Sequence, residues 1–448
     1  MIAGNMRPEA QNNLMEKIVS LCKRRGFIFP GSEIYGGLAN TWDFGPLGVE
    51  LKNNIKRLWW DRFVHRRDDM FGIESAIIMS PKVWEASGHL REFKDPLIEC
   101  KTCHSRFRAD GIKKSCPNCG GRTFTEAHQF NLMFQTFIGA LQDESAIAYL
   151  RPETAQGMFV NFKNILDTTR RTLPFGIAQI GKAFRNEITP GNFIFRTREF
   201  EQMEIEYFIP EPDPENDETW RKYFEEWQLQ MMQWIRDVGI NPEHVAQNTI
   251  EAGERAHYSA HSVDFEYQFP FGQEELYGLA YRTNYDLKNH EKHSGANLKY
   301  KSADKEEAPY WPHVIEPTWG VERTVLALLL DGYQEDGDRI ILKLKPGLAP
   351  YKVAVFPLLA NKPELVSLAR KIYDDLRKYF TTAWDDRGNI GKRYYSQDEI
   401  GTPFCITVDF ESLEKGDVTV RDRDTTKQER ITISKLEGYL RDALRFGD

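Results

Sequence analysis

The chain contains 448 residues, with 59 Lys and Arg against 67 Asp and Glu, and its formal net charge of −8 gives no sign of a nucleic-acid partner. This length predicts about two to four domains, and a composition of 41% hydrophobic and 28% charged residues excludes fibrous and disordered classes. The longest run without Asp, Glu, Lys or Arg covers residues 127–142. It is shorter than the roughly 20 residues that span a bilayer. Because no secretory signal is visible at the N-terminus, we expect a cytoplasmic protein without membrane contact.

The N-terminal segments predict two amphipathic helices and a strand. Apolar residues at helical spacing indicate a helix over residues 7–25 that ends at Gly26. A second helix should follow Gly45-Pro46, with an apolar face and several Lys and Arg residues on its other sides. The Ile-rich segment Ile73–Met79 is typical of a strand.

Four of the six cysteines form two pairs, Cys100-x-x-Cys103 and Cys116-x-x-Cys119. Each pair lets two thiolates converge on one ion, and four thiolates close a tetrahedral site with no open position. The spacing therefore predicts a structural Zn²⁺ ribbon over about residues 97–125. Reduced cysteines without metal and a redox pair are the alternatives. Cys22 and Cys405 lie in apolar patterns and should be core residues.

The central part of the chain predicts an antiparallel sheet backed by a helix. Strands are suggested by Gly176–Ile180, Phe193–Phe195, Met203–Phe208 and Tyr277–Tyr281, and they form hairpin-like pairs without a long helix between each strand and the next. Residues 220–238 predict a helix whose Trp, Phe and Met residues form a core-facing stripe.

Residues 178–208 interleave charged and aromatic side chains. Arg185 and Glu187 follow one strand, and we expect Arg196 and Arg198 on one face of the returning strand. Arginines in a half-buried cleft need anionic partners such as phosphates. A solvated surface hairpin is the alternative.

Residues 314–330 join a strand to an apolar helix through Gly320, with Glu322 and Arg323 at the helix start. An Arg at the start of a buried helix, where backbone N–H groups favour anions, indicates a phosphate clamp. A capping Glu beside a surface Arg is the alternative.

The segment Pro346–Pro350 is predicted to be a domain boundary. Beyond it, strands at Val353–Phe356 and Phe404–Val408 flank a helix at Pro363–Phe380, and two alternating runs follow. This pattern is typical of a small α/β domain. Residues 351–448 carry 17 basic and 17 acidic residues, so the negative excess lies in the first 350 residues.

Taken together, these segments resemble the three signature motifs of class II aminoacyl-tRNA synthetases. Motif 1 corresponds to the basic helix with Met70–Pro81, motif 2 to Phe184–Glu187 with its loop, and motif 3 to Gly320–Arg323. Closer similarity to the dimeric glycyl-tRNA synthetase family runs from about residue 8 to 445, through Asp43–Gly48, Ala86–His89, Arg108–Asp110, Phe130–Phe134, Arg151–Gly157, Phe200–Glu204 and Ile315–Pro317. There are two mild departures from the family pattern, Thr318 in place of Ser and Asn284 in place of Asp.

The resemblance implies an α+β fold. Residues 1–346 would form a class II catalytic domain, an antiparallel sheet with helices and the inserted zinc ribbon, and residues 347–448 would form an α/β anticodon-binding domain. A dimerisation or scaffold module is the alternative for the second domain. Motif 1 implies a homodimer. Lys392–Tyr395 and Arg421–Arg430 suit single-stranded RNA, because phosphates bind Lys and Arg and bases stack on aromatic rings. The negative net charge does not oppose this interpretation, since attraction to tRNA depends on local basic stripes.

The resemblance also implies that ATP and glycine react to glycyl-adenylate and pyrophosphate, and that glycine is then transferred to the 3′ end of tRNA-Gly. The implied catalytic residues are Arg185, Arg323 and Glu187. Arg185 would bind the α-phosphate and the glycine carboxylate, and Arg323 would bind the far phosphates. Glu187 and Glu275 are candidate contacts for Mg²⁺ or the nucleotide. Phe200 would stack on adenine. The implied ATP-binding residues are Arg185, Asn186, Glu187, Phe195, Arg196, Thr197, Arg198, Glu199, Phe200, Glu275, Leu276, Gly320, Val321, Glu322 and Arg323.

Glycine offers no side chain to grip, so its recognition needs walls that exclude a Cβ and carboxylates that hold its ammonium group. The implied glycine-binding residues are Arg108, Glu153, Phe200, Glu201, Gln202, Met203, Glu204, Glu316, Pro317, Thr318, Trp319 and Gly320. Because no amino acid is smaller, no editing site is needed. The alternatives are a synthetase-like protein that acts on another small amino acid, and a protein retained only as an RNA-binding accessory.

Overall fold

A computed structural model of the chain describes residues 8–112, 114–140, 142–213, 217–302 and 308–444. The helices are α1 (Pro8–Arg25), α2 (Pro46–Trp60), α3 (Pro81–Ala86), α4 (His89–Glu92), α5 (Ala155–Val160), α6 (Phe162–Thr169), α7 (Arg221–Val238), α8 (Tyr285–Ser294), α9 (Val321–Gly332), α10 (Pro363–Leu376), α11 (Ile390–Asp398), α12 (Phe410–Lys415) and α13 (Leu436–Ala443). A π-helical turn at Asp61–His65 extends α2. Within these ranges, no helix combines the length and the apolar character needed to cross a membrane.

The strands complete the architecture. They are β1 (Ile28–Pro30), β2 (Trp42–Phe44), β3 (Met70–Gly72), β4 (Ile78–Met79), β5 (Lys94–Glu99), β6 (Arg106–Arg108), β7 (His128–Asn131), β8 (Gln135–Phe137), β9 (Ile147–Leu150), β10 (Phe175–Phe184), β11 (Glu199–Ile209), β12 (Val245–Thr249), β13 (His261–Phe269), β14 (Gly272–Thr283), β15 (His313–Gly320), β16 (Tyr333–Asp336), β17 (Arg339–Leu342), β18 (Val353–Pro357), β19 (Thr382–Trp384), β20 (Phe404–Val408), β21 (Asp417–Asp422) and β22 (Gln428–Thr432).

The predicted antiparallel sheet is confirmed. Its strand order is β12-β13-β14-β15-β11-β10-β3, and every neighbouring pair is antiparallel except β3 with β10. One face packs on α2, α7 and α9 in the largest hydrophobic core. The aromatic stripe predicted for residues 220–238 is part of this core: Phe63 lies 5.9 Å from both Trp227 and Trp234 and 4.9 Å from Trp319, between ring centroids. Part of the opposite face packs on α5 and α6 in a second apolar cluster, and the rest carries polar side chains.

Two strand predictions are wrong. Only Ile78–Met79 of the segment Ile73–Met79 is a strand. Ile73 still donates its backbone N–H to Ala178 O of the main sheet, and the chain leaves that sheet after this residue. Ile77 and Ile78 are exposed instead of buried. Phe193–Phe195 lies in a tight turn, since Asn192 and Phe193 both have positive φ and reverse the chain. The rings of Phe193 and Phe195 are nevertheless buried.

A small sheet of order β6-β5-β7 carries the cysteine loops. The loops pack on a separate apolar cluster that contains Ile98, Phe107 and the partly buried Phe124. This apolar cluster is too small to keep the segment folded by itself. A ribbon of this kind depends on a cross-link for its stability.

The C-terminal part has its own core, as predicted for an α/β domain. Its sheet has the order β19-β18-β20-β21-β22, with β18 parallel to β19 and β20 and the other pairs antiparallel. Helices α10 and α13 contribute Leu365, Ile372 and Leu440 to that core. Cys22 and Cys405 are buried apolar residues, as predicted.

Three arginines in the candidate RNA-binding segments are buried in structural roles. Arg393 donates to four backbone carbonyls, including Pro357 O. Arg421 forms a two-pronged ion pair with Asp398, with N–O distances of 2.9 and 3.0 Å. Arg423 donates to Leu342 O at 3.2 Å and Leu344 O at 2.7 Å, which ties the C-terminal domain to the segment after β17. These guanidinium groups are therefore not available to RNA.

Candidate active site

A cleft of about 500 Å³ lies on the polar face of the main sheet, over β11, β14 and β15. It brings together many residues that the sequence motifs single out. The implied site residues that line it are Glu153, Arg185, Glu187, Phe195, Arg196, Thr197, Phe200, Gln202, Glu204, Glu275, Leu276, Glu316, Thr318, Gly320, Glu322 and Arg323.

Five implied residues lie outside the cleft, four of them because of strand alternation and Val321 at the start of α9. Side chains two apart on a strand share a face, and their neighbours point to the other face. Met203, Trp319 and Val321 accordingly lie in the hydrophobic core, and Pro317 is buried opposite Leu279. Glu201 pairs with lysines of α2 instead of lining the cleft.

Four further implied residues are also absent from the cleft lining. Arg108 lies on β6 of the ribbon and pairs with Asp110 at 2.8 Å. Arg198 donates to Ala39 O at 3.2 Å and precedes β11, so the prediction that Arg196 and Arg198 share a face of that strand is wrong. Glu199 pairs with Lys182 at 2.6 Å. Asn186 donates its backbone N–H to Leu132 O at 2.7 Å.

A buried acidic cluster forms one end of the cleft. We define it as the side chains of Glu153, Glu204, Glu206, Asp286 and Glu316. They surround the fully buried Arg282. The Arg282 guanidinium bonds to Asp286 at 2.8 and 2.9 Å and to Glu316 at 2.7 Å, and it lies 3.8 Å from Glu153. Tyr258 stacks on it, with the Arg282 Cζ 3.6 Å from the ring centroid.

The remaining contacts hold the cluster in one geometry. His89 Nε2 lies 3.3 Å from Glu153 Oε2, and its Nδ1 bonds to Ser87 Oγ at 2.8 Å. Thr318 donates its hydroxyl to Glu204 Oε1 at 3.0 Å, and Thr154 donates to the other oxygen of Glu204. Thr318 therefore retains the hydroxyl that Ser supplies in the resembling family. Asn284 bonds to His313 at 3.1 Å and is not part of the cleft lining.

Burial and mutual repulsion divide the acidic cluster into two kinds of carboxyl. Burial raises the pKa of Glu153, but the nearby His89 ring and Arg282 guanidinium outweigh it and bring that pKa below its usual range. Burial raises the pKa of Glu204, and Glu153 raises it further. Burial also raises the pKa of Glu316 well above the usual range, with Arg282 opposing and Glu204 and Glu153 adding to the rise. The cluster therefore favours an added positive charge.

The two arginines of the motifs also line the cleft. The Arg185 Cζ lies 5.2 Å from the Phe200 ring centroid, and its Nε donates to Pro152 O at 3.1 Å. Arg323 donates from Nη1 to Glu275 Oε2 at 2.9 Å, and its Cζ lies 4.5 Å from the Phe195 ring centroid. Both guanidinium groups line the cleft, where anionic oxygens can reach them.

A carboxyl pair lies beside Arg323. Burial raises the pKa of Asp264 to about 7, and the neighbouring Glu275 and Glu266 add to this rise. Asp264 and Glu275 both line the cleft, where a hard cation would find carboxylate oxygens.

Lys52 forms buried ion pairs at the start of α9. Its ammonium lies 2.5 Å from Glu201 Oε2 and 2.6 Å from Glu322 Oε1, and all three groups are largely buried. Glu322 Oε2 also accepts the backbone N–H of Glu201 at 2.8 Å. Lys52 thus connects the motif 1 helix to the residue beside Arg323.

The four clustered cysteines converge as predicted. The Sγ atoms of Cys100 and Cys119 are 3.6 Å apart, those of Cys103 and Cys116 are 3.5 Å apart, and all four lie within 4.8 Å of one another. The sulfurs of a tetrahedral four-thiolate zinc site, with Zn–S bonds of about 2.3 Å, are about 3.8 Å apart. The thiol geometry therefore fits a zinc ion.

Comparison with known proteins agrees with this geometry. The family model of the class II tRNA synthetase core domain (G, H, P, S and T) matches residues 136–332, and the anticodon-binding domain model matches residues 352–443. The chain is 51% identical to the glycine–tRNA ligase of Geobacillus thermodenitrificans, covering 96% of this chain and 98% of that protein. It is 50% identical to that of Caldanaerobacter subterraneus, covering 96% and 99%, and 49% identical to that of Alkaliphilus oremlandii, covering 98% and 100%. The chain belongs to the glycine–tRNA ligase family.

The glycine–tRNA ligase assignment confirms the resemblance drawn from the three motifs, with a class II core followed by an anticodon-binding domain. The two family models end at residue 332 and begin at residue 352, on either side of the boundary predicted between 346 and 347. The boundary itself stays a prediction.

Several residues that line or support the cleft were missed by the sequence interpretation. Arg282 and Asp286 are four residues apart across the end of β14 and the start of α8, and this spacing was a usable signal. Tyr258 lines the cleft together with Ile250, Glu254, Arg255, Ala256 and Ser262, but nothing in their sequence indicates a site. Lys52 belongs to the basic helix, where its charge alone predicted exposure.

We expect Lys52→Met to lower the apparent free energy of unfolding by about 3–5 kcal/mol, because it leaves the buried Glu322 without its cation and Glu201 with Lys56 alone. Lys56→Met is the matched control: Lys56 bonds to the same Glu201 at 3.0 Å but is partly exposed, and its loss should cost less than about 1 kcal/mol. Denaturant unfolding followed by tryptophan fluorescence measures both values. Equal effects of the two substitutions would contradict a special role for Lys52.

Proposed function

We propose that this protein activates glycine with ATP to glycyl-adenylate and pyrophosphate, and then transfers glycine to the 3′ end of tRNA-Gly. The observation that carries the proposal is that one cleft holds both kinds of charge. The buried carboxyl groups of Glu153, Glu204 and Glu316 line it, and so do the guanidinium groups of Arg185 and Arg323. Such a cleft suits an ammonium group at the carboxylates and phosphates at the arginines.

The activation step brings two anions together, the glycine carboxylate and the α-phosphate. Their repulsion makes cationic clamps the main catalytic requirement, and fixed positions supply the rest. We assign Arg185 to the α-phosphate and the glycine carboxylate, and Arg323 to the far phosphates. A Mg²⁺ ion would neutralise the polyphosphate chain. Glu275 is its proposed ligand, and Glu187, which also lines the cleft, is a second candidate contact.

Glycine specificity would come from size and charge together. Glu153, Glu204 and Glu316 form a negative end, and Thr318 fixes one of these carboxylates. The residues around them would leave no room for a Cβ. Since glycine is the smallest amino acid, this exclusion would suffice without an editing site.

The second step would bring in tRNA-Gly through the C-terminal domain. Its buried arginines are not available, but Lys392, Tyr395 and Lys427 are exposed. Exposed Lys and Tyr side chains suit phosphates and unstacked bases of a single-stranded anticodon. We further propose a homodimer through motif 1 and a cytoplasmic location.

A zinc ion would stabilise the ribbon. Cys100, Cys103, Cys116 and Cys119 would hold it, and the ion would supply a cross-link that the small apolar cluster beside them cannot replace. A four-thiolate site leaves no open coordination position, so the ion would not take part in the reaction.

A role as a non-catalytic RNA-binding accessory protein is the second candidate. Such a protein would need no charged clamps in the cleft. Because Arg185, Glu187 and Arg323 are all present and face the cleft, the catalytic role is favoured.

Exchange of labelled pyrophosphate into ATP, measured with glycine, alanine and serine in turn, tests the proposal. We expect exchange with glycine alone.

Arg323→Ala should lower glycine-dependent exchange about 10²- to 10³-fold, because a charge stabiliser of the transition state is lost. Arg377→Ala, at an exposed surface position, is the control and should leave exchange unchanged. Stimulation by alanine or serine without glycine would refute the specificity, and normal exchange by Arg323→Ala would remove Arg323 from catalysis.

We also expect one zinc ion per chain in protein purified without chelators, by inductively coupled plasma mass spectrometry. Cys103→Ser should lose the ion, whereas Cys22→Ser, at a buried apolar position away from the ribbon, should keep it. Zinc-free wild-type protein, or equal zinc content in both variants, would refute the four-cysteine site.

A further inference from the structure

The proposed reaction does not use two members of the buried acidic cluster, Asp286 and Glu206. Asp286 is paired with Arg282, whereas Glu206 has no such partner within the described ranges. Glu206 lies on β11 two residues after Glu204, so both side chains share a face of the strand. The side chain is fully buried, and neither carboxyl oxygen has a hydrogen-bond partner among the described residues. One carboxyl oxygen each of Glu204, Glu206 and Glu316 lies within 4.8 Å of the others.

An ionised Glu206 would be costly at this position. The groups that face it are Glu204 on the same strand, Glu316 on β15, Arg282 at the end of β14 and Asp286 on α8. Arg282 already bonds to Asp286 and Glu316. A further buried negative charge without its own cation or donor is strongly unfavourable. Burial, followed by repulsion from Glu316, raises the pKa of Glu206 well above its usual range.

A protonated Glu206 removes this cost, because a neutral carboxyl group carries one O–H donor. Both oxygens of Glu204 already accept hydroxyl bonds from Thr154 and Thr318. Glu316 accepts from Arg282 through Oε1, and its Oε2 is the acceptor that remains. Two carboxyl groups that share one proton are a known arrangement for carboxyls forced close together.

We propose that Glu206 is a positioning residue that stays protonated and donates a hydrogen bond from its carboxyl O–H to Glu316, and that this bond holds Glu316 ready for the ammonium group of the substrate. The inference rests on the proposed role of Glu204 and Glu316 as the ammonium site. Glu316 keeps its negative charge because Arg282 bonds to it at 2.7 Å, whereas no cation of the described residues bonds to Glu206, so the proton stays on Glu206. Glu206 does not touch the substrate and acts through Glu316.

The test compares Glu206→Gln with Glu206→Leu. Gln is neutral and keeps an N–H donor, so we expect its KM for glycine to stay within about threefold of the wild type. Leu is neutral without a donor, and its KM for glycine should rise about tenfold or more, the effect of one lost hydrogen bond to a charged group. KM for ATP should be unchanged in both variants. A glycine KM raised equally by both substitutions, or by neither, would overturn the proposal.

Infrared difference spectra provide a readout that does not depend on the folding of the Leu variant. The spectrum of the wild type minus Glu206→Gln at pH 7.5 should contain the carbonyl band of a protonated carboxylic acid. Absence of this band would overturn the proposal, whether Glu206 is ionised or shares a metal ion with Glu204 and Glu316. The infrared band is independent of the ammonium assignment. If Glu204→Gln left KM for glycine unchanged while the band was present, the ammonium site would fail and protonation of Glu206 would stand.

Discussion

The site depends on one buried cation, Arg282, held among carboxylates that outnumber it. Removing ions from water is costly, and a buried pair is tolerated only when geometry and hydrogen bonds are nearly complete. Arg282 meets that condition through Asp286 and Glu316 and through the Tyr258 ring stacked on it. It does not neutralise the whole cluster. The negative excess that remains is what makes this end of the cleft suitable for an ammonium group.

Side chains alternate along each strand of the main sheet, so one face packs into the largest core and the other carries the charged groups of the cleft. Along β15, Pro317 and Trp319 face away from the cleft, while Glu316 and Thr318 face into it. A tryptophan in the core is therefore the direct neighbour of a threonine that fixes Glu204. Packing behind the sheet sets the positions of the charged groups in front of it, and Lys52 extends this support to the start of α9.

The sequence was most informative where a motif and a periodic pattern agreed. The strand before Gly320, the helix after it and the position of Arg323 all follow from the alternation and helical spacing around that glycine. The four cysteines converge as their spacing in two Cys-x-x-Cys pairs indicated. Fold class, family and the antiparallel sheet could be predicted for the same reason.

The faces of individual strands could not be predicted. Both faces of β11 are largely buried, so hydrophobic alternation does not distinguish core from cleft, and Glu201 and Met203 were assigned to the wrong side. Phe193–Phe195 has strand-forming residues, but positive φ at Asn192 and Phe193 makes it a turn. Arg393 reads as a surface charge, yet the fold surrounds it with carbonyl oxygens. The errors at β11 and Arg393 concern long-range contacts that local sequence does not encode, whereas the error at Phe193–Phe195 concerns a local backbone conformation that its residue types do not favour.

The central claim is that buried negative charge, and not shape alone, selects the substrate. The most direct measurement compares glycine with glycolate, which has the same size and carboxylate but a hydroxyl in place of the ammonium group. Isothermal titration with each compound, in the presence of a non-hydrolysable ATP analogue, gives the two dissociation constants. The account predicts that glycine binds and that glycolate binds far more weakly. Equal affinity for the two would contradict it.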